Sequence, residues 1–369
     1  MSPESKKQQI ELLKQKNKDF KKQIKERVDG YNSTNKNPFT EQYEQNKSHD
    51  KLMDICISAF TKGNPCCDKL NYCFISSEPL VELGIKNFDI LILNHISKYA
   101  IFVECKTSIS KGVVGEKYEA IDNILKKKDY LEKEIGNKID CMEFVFCIPS
   151  DKIDVLVRQI ENVEKVNKID SEKDPIFLIW HVNRFLKKPI LQLFESKKIK
   201  TRKNDIFYRH KDKELTELLR VGVEVESEFV GEIYPSSHPC KQGRAVIAKI
   251  ISENDRIIKT KEMDSENISK LRKIFGKQLI YDYFKDKKTL THYNEDTIGM
   301  NLADRFLRES EKFGIIEPFP PDMYELKIPG EGLDTILSNY EKKYKEEFLE
   351  EYSEEEVFDE FTTKYKQLF

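Results

Sequence analysis

The chain has 369 residues, more than one hydrophobic core usually serves, so two or three domains are expected. Lys and Arg number 63 against 65 Asp and Glu; the net charge of -2 excludes indiscriminate coating of polyanions and leaves any such role to local charge blocks. Neither a transmembrane run nor an apolar leader is present, the N-terminus being polar and lysine-rich, so a cytoplasmic protein with no membrane attachment is expected.

Residues 1–36 read as a basic helical arm. Ile10, Leu13, Phe20 and Ile24 recur at three-four spacing among lysines, and Asn17 falls in the same stripe, where a buried asparagine can fix the register of a coiled coil. Such an arm is solvated, docks on the rest of the chain, pairs two copies or touches phosphates. After the break at Asn37 and Pro38, Glu41 to Phe60 is predicted as a helix with His49, Met53, Cys56 and Phe60 on one stripe. Gly63 and Pro65 end it. A strand at Tyr72 to Ser76 and a turn with Glu78 and Pro79 follow, where Glu78 is either another outer ligand or, as turn glutamates more often are, solvated.

Phe88–Leu93 and Tyr99–Cys105 are short β-rich runs joined by Asn94–Lys98, the pattern of an antiparallel hairpin. Three polar residues interrupt them: Asp89, Glu104 and Lys106. Side chains alternate along a strand, so Glu104 and Lys106 share one face and the Cys105 thiol takes the other. Charges at the end of a strand built for burial are costly unless they pair or bind something. With Asp89 at the same height on the neighbouring strand, two carboxylates and the Cys105 carbonyl offer the all-oxygen donor set that Mg²⁺ prefers.

This arrangement resembles the signature of the PD-(D/E)xK phosphodiesterase superfamily, which includes restriction endonucleases, Holliday-junction resolvases and transposon-end nucleases. The resemblance covers about residues 38–195 and departs from the usual pattern at the residue before the aspartate, where Phe88 replaces proline. It implies Asp89, Glu104 and Lys106 as catalytic residues, with Mg²⁺ (Mn²⁺ substituting) held by Asp89, Glu104 and the Cys105 carbonyl, and Lys106 aiding the attacking water. It also implies one further acidic or polar site residue near the start of the first helix. Glu41, Glu44, Asp50 and His49 all qualify, and spacing does not choose among them.

Beyond the hairpin, a helix from about Glu116 to Glu134, a strand at Met142–Ile148, a helix at Asp151–Val163 and a strand at Pro175–His181 are predicted. The order matches the α-β-β-β-α-β core that the resemblance implies, with one extra helix. The nuclease-like domain thus spans 37–196. Residues 197–262 read as a basic linker, with Lys200, Arg202 and Lys203 as candidate nucleic-acid contacts, followed by a small β-rich region over 221–233 and 244–260.

Residues 263–330 follow, with helices predicted at Asn267–Phe284 and Asn301–Phe313, then Gly314, a turn and a strand at Met323–Ile328. This is similar to the last helix and wing of a winged-helix domain, with little room for a middle helix in 289–300; Arg305 and Arg308 are its candidate DNA contacts. Residues 331–369 form an acidic tail predicted as two helices. Its seam of Tyr340, Tyr344, Phe348 and Tyr352 must be buried against its own chain or a protein partner.

The eight cysteines read as reduced core thiols; Cys66, Cys67 and Cys73 could enter a zinc site only with spacing unlike the common ones. No glycine-rich phosphate loop is present, so ATP-driven activity is not expected. The expectation is a Mg²⁺-dependent endodeoxyribonuclease of restriction, antiviral defence or repair, with DNA as partner and a homodimer suited to double-strand cutting. The rival readings are a catalytically silent binding module on the same fold and a ribonuclease using the same site.

Overall fold

The computed structural model describes residues 3–34, 37–80, 83–85, 87–167, 177–183, 188–194, 209–225, 233–259, 268, 270–286, 296–319 and 322–366. Helices in chain order are α1 (Pro3–Lys16), α2 (Lys18–Asn32), α3 (Pro38–Ala59), α4 (Pro65–Asp68), α5 (Val113–Lys126), α6 (Lys128–Ile135), α7 (Ile153–Asn167), α8 (Lys213–Val221), α9 (Pro239–Ile258), α10 (Lys277–Lys285), α11 (Asp296–Lys312) and α12 (Leu333–Lys366). Strands are β1 (Tyr72–Ser77), β2 (Ile90–Asn94), β3 (Tyr99–Cys105), β4 (Cys141–Pro149), β5 (Phe177–Asn183), β6 (Ile190–Leu193), β7 (Val223–Glu224), β8 (Ile274–Gly276), β9 (Ile316–Phe319) and β10 (Met323–Leu326). The architecture is mixed α/β, and contacts divide the chain into two units. The first holds Met1–Asn46, His238–Ile280 and Asp304–Phe369; the second holds Lys47–Ser237 and Tyr281–Ala303.

The second unit is built on a seven-stranded sheet in the order β1-β2-β3-β4-β5-β6-β7. Strands β3, β4 and β5 are parallel and the other neighbours antiparallel. Both faces are covered, which is why Ile90–Leu93 and Tyr99–Val103 are apolar at every position rather than at alternate ones. One face, with Ile92, Ile101, Val103, Cys147 and Trp180, packs Met53 and Cys56 of α3, Phe60 just after it, and Leu215 and Leu219 of α8. The other, with Leu91, Phe102, Phe144, Phe146 and Ile179, packs Ala120 and Ile121 of α5 and Leu156 and Ile160 of α7. The hairpin loop is closed by Asn94, whose Oδ1 accepts from the Ile96 and Ser97 N–H groups at 3.0 Å each. The helix predicted as one over Glu116–Glu134 is two: Lys127 leaves the helical region and its N–H is shared between the Asn123 and Ile124 carbonyls.

In the first unit α1 and α2 dock on α12. Ile10, Phe20 and Ile24 are buried with Val357 and Phe358, so the arm docks on its own chain. Asn17 does not sit in that seam. It breaks the arm in two and caps α2, accepting from the Asp19 and Phe20 N–H groups at 3.0 and 3.1 Å. The acidic tail is one continuous 34-residue helix rather than two, and its Tyr340 and Tyr344 are buried. The stretch 244–258, expected as β-rich, lies inside α9. His238 caps that helix through Nδ1, which accepts from the Cys240 N–H at 3.2 Å, and Pro239 opens it. Length and alternation suggest a sheet there, but Val246, Ile247, Ile250, Ile251 and Asn254 are buried at helical spacing.

The helix expected over Asn267–Phe284 is interrupted by β8, and α10 begins after it. Strands β8, β10 and β9, in that order, form a three-stranded antiparallel sheet. Cys67 and Cys73 are joined in a disulfide, which corrects the expectation of reduced thiols there and removes both from any zinc set. No helix among the described residues is long and apolar enough to cross a membrane.

Candidate active site

Strand β2 pairs with β3 so that Ile90 lies opposite Val103, the last pair of that ladder; Asp89 immediately precedes β2, and Glu104 follows Val103 on β3. The Asp89 N–H donates to the Val103 carbonyl at 3.0 Å, one residue off that register. Asp89 Oδ2 accepts from the Cys105 backbone N–H at 2.7 Å, which locks the carboxylate beside the end of β3. His49 of α3 reaches the same oxygen through Nε2 at 3.2 Å.

Glu104 is fully buried, and each of its oxygens is held by a lysine. Lys106 Nζ lies 2.6 Å from Oε1, and Lys117 Nζ lies 2.6 Å from Oε2. Lys117 comes from α5; it also donates to the Asn87 carbonyl at 2.5 Å and stands over the Phe88 ring at 5.2 Å. Its position among buried Val113, Val114, Ala120, Ile121 and Ile124 puts a cation in an apolar helix stripe. That anomaly is readable in the sequence and is the signal that would have found it.

The site is a crowded balance of charge. Burial pushes Asp89 toward the neutral form, but His49, Lys106 and Lys117 more than offset this and hold it well below the ordinary carboxylate range. Burial and the Asp89 charge raise Glu104. Burial works against the Lys106 ammonium, yet Glu104 and Asp89 outweigh it and hold Lys106 firmly protonated. His49 is likewise raised: burial disfavours its charge and Asp89 overrides that.

Glu78, either an outer ligand or a solvated turn residue on sequence alone, lies inside the same field. Its N–H donates to the Asp89 carbonyl at 2.7 Å, and burial followed by the Asp89 charge pushes its carboxyl up to about 7. The Asp89 charge thus raises both Glu78 and Glu104. Asp89 and Glu104 carry the oxygen donors that a hard divalent cation takes, but with Glu78 they do not bring three ligand atoms together among the described residues.

The remaining sequence candidates are dispersed. Asp50 is buried on α3 and accepts at Oδ2 from Ser237 Oγ at 2.8 Å. Glu44 belongs to the first unit. Lys200, Arg202 and Lys203 lie outside the described residues. Arg305 donates to Gln242, and Arg308 is exposed on α11. The Cys105 thiol points away from the carboxylates, as alternation requires, and with Cys56 and Cys147 brings three sulfurs within 4.8 Å of one another. Soft ligands of this kind suit a thiophilic metal rather than Mg²⁺. Burial raises the Cys56 and Cys105 thiols well above their usual range, and in this apolar core they pack as small apolar groups.

No family model matches the chain, and no solved structure matches it. A curated protein of Archaeoglobus fulgidus, described as an uncharacterized protein, is 22% identical over 314 residues, which are 81% of this chain and 80% of that protein.

Proposed function

We propose that this chain is a metal-dependent nuclease of the PD-(D/E)xK type that hydrolyses DNA phosphodiester bonds. The observation that carries the reading is the Cys105 N–H donated to Asp89, which holds that carboxylate beside the end of the strand bearing Glu104, with the Lys106 ammonium against the second carboxylate. The order α3, β1–β3, α5 and α6, β4, α7, β5 agrees with the α-β-β-β-α-β core of that superfamily.

In this reading Asp89, Glu104 and the Cys105 carbonyl hold Mg²⁺ or Mn²⁺, which when bound polarises a phosphate oxygen and acidifies water. Lys106 is an ammonium and so acts as a donor: it orients the attacking water or meets the charge growing on the phosphate. His49 holds Asp89, and Glu78, raised to about 7, is the carboxyl suited to accept the proton that water releases. No covalent intermediate is required.

The order α9, β8, α10, α11, β9, β10, with sheet order β8-β10-β9, supports a winged-helix reading of the C-terminal half, α10 being the middle helix missing from the sequence pattern. Lys327 beside that sheet is flanked by Glu317 at 3.0 Å and Glu325 at 2.7 Å, which leaves the wing without net positive charge. DNA contact from this region therefore falls to exposed Arg308.

The test is cleavage of plasmid DNA, linear DNA and matched RNA with Mg²⁺, Mn²⁺ or EDTA. Cutting of DNA that needs the metal, and that falls by at least about 10²-fold in Asp89→Ala and Lys106→Ala, is expected. Binding without cutting under every metal would turn the reading toward a silent binding module. Preferential cutting of RNA would make the chain a ribonuclease.

A further inference from the structure

Two lysines on one carboxylate are more than a resting ion pair needs, and they are not equivalent. Lys117 rises from a helix packed against the sheet; its side chain is 13% exposed, and Glu104, the Asn87 carbonyl and the Phe88 ring fix its ammonium from three directions. Lys106 follows the last residue of β3, its side chain is 30% exposed, and Glu104 is its ion-pair partner among the described residues. A cation brought to Asp89 and Glu104 repels both ammonium groups at short range, and the one with fewer anchors and more solvent yields first.

From this we infer that Lys117 is the fixed positioning partner of Glu104, and Lys106 the exchangeable one, freed toward the scissile phosphate as the metal site fills. The inference rests on the nuclease reading and adds a division of labour to it. Lys117 keeps one Glu104 oxygen in place, so the carboxylate can give its other oxygen to a ligand without turning away. The backbone of Lys106 stays pinned to the sheet by its N–H to the Cys147 carbonyl at 2.9 Å, so only the side chain has to move. The same ammonium that closes the resting site then becomes the donor at the reacting phosphate.

The experiment labels lysines of the wild-type protein with an amine-acetylating reagent, with and without Mn²⁺ and without nucleic acid. Site-by-site modification is read by mass spectrometry, and occupancy by the Mn²⁺ electron-spin signal. Acetylation of Lys106 is expected to rise several-fold with occupancy while Lys117 stays protected in both states. A rise at Lys117, or no change at Lys106 while Mn²⁺ is bound, overturns the inference. Absence of Mn²⁺ binding overturns it together with the metal-dependent reading. Release of Lys106 without cleavage of any nucleic acid upholds the inference and sinks the nuclease reading alone.

Kinetics supply a second measure. Lys117→Met is expected to lower kcat by about 10²-fold with KM for DNA unchanged, the cost of a misplaced ligand rather than a lost substrate contact. Lys117→Gln, which keeps a donor, should recover part of that loss, and a rise in KM with kcat intact would count against a positioning role.

Discussion

Glu78 shows how position in the fold overrides residue type. A turn glutamate is ordinarily solvated, but this one is half-buried beside Asp89, and desolvation followed by that charge moves its carboxyl from the usual 4.5 up to about 7. Ionising it costs the folded state, so that cost is absent while the group stays protonated near pH 4.5 and is complete once pH has risen through 7. Glu78→Gln should therefore stabilise the metal-free protein by about 3 kcal/mol at pH 8, with the gain shrinking to nothing by about pH 4.5. Urea unfolding in EDTA across that range checks it; a gain independent of pH would mean that packing rather than charge is responsible. Of the trio itself, Asp89, Glu104 and Lys106 were legible because charge stands out in a run of buried strand residues. Glu78 was legible only as an alternative, an outer ligand or a solvated turn residue, since nothing local distinguishes a turn facing solvent from one facing a carboxylate.

Among elements, the docking of α1 and α2 on α12 separates apolar from ionic contributions. Phe20 is fully buried and meets Phe361 edge-on at 5.8 Å, beside Val357 and Phe358. Arg27 pairs with Glu360 at 2.9 Å and Glu356 at 3.1 Å at the surface. Phe20→Ala should cost about 3–5 kcal/mol in urea unfolding, while Arg27→Ala should cost less than about 1 kcal/mol and less still in high salt. The heptad-like stripe predicted the buried face of the arm correctly. It misread Asn17, because a seam position and an N-cap look alike until the backbone direction is known. Helix α9 teaches the converse lesson: length and alternation suggested strands, and the spacing of Val246, Ile247, Ile250 and Ile251 decided for a helix.

For the molecule as a whole, closure of the second unit depends on residues far apart in the chain. His210 accepts from the Trp180 Nε1–H at 2.9 Å and reaches Glu143 at 2.6 Å through its other nitrogen; the Lys211 N–H donates to the same carboxylate at 2.9 Å. These groups tie the segment entering α8 to strands β4 and β5. His210→Ala should cost about 3–5 kcal/mol in urea unfolding, because it leaves a buried carboxylate short of a partner; a loss below about 1 kcal/mol would show the latch to be incidental.

Residue pattern alone was enough for the hairpin, the helix stripes and the order of elements in the nuclease-like half, because alternation and helical period record which face of each element is buried. Tertiary structure alone decided which carboxylate Lys117 meets, that Glu78 lies beside Asp89, and that the arm sits on the tail. Each of those depends on a second segment that the fold brings in, where electrostatics and burial act through space and the period along one element does not record its partner.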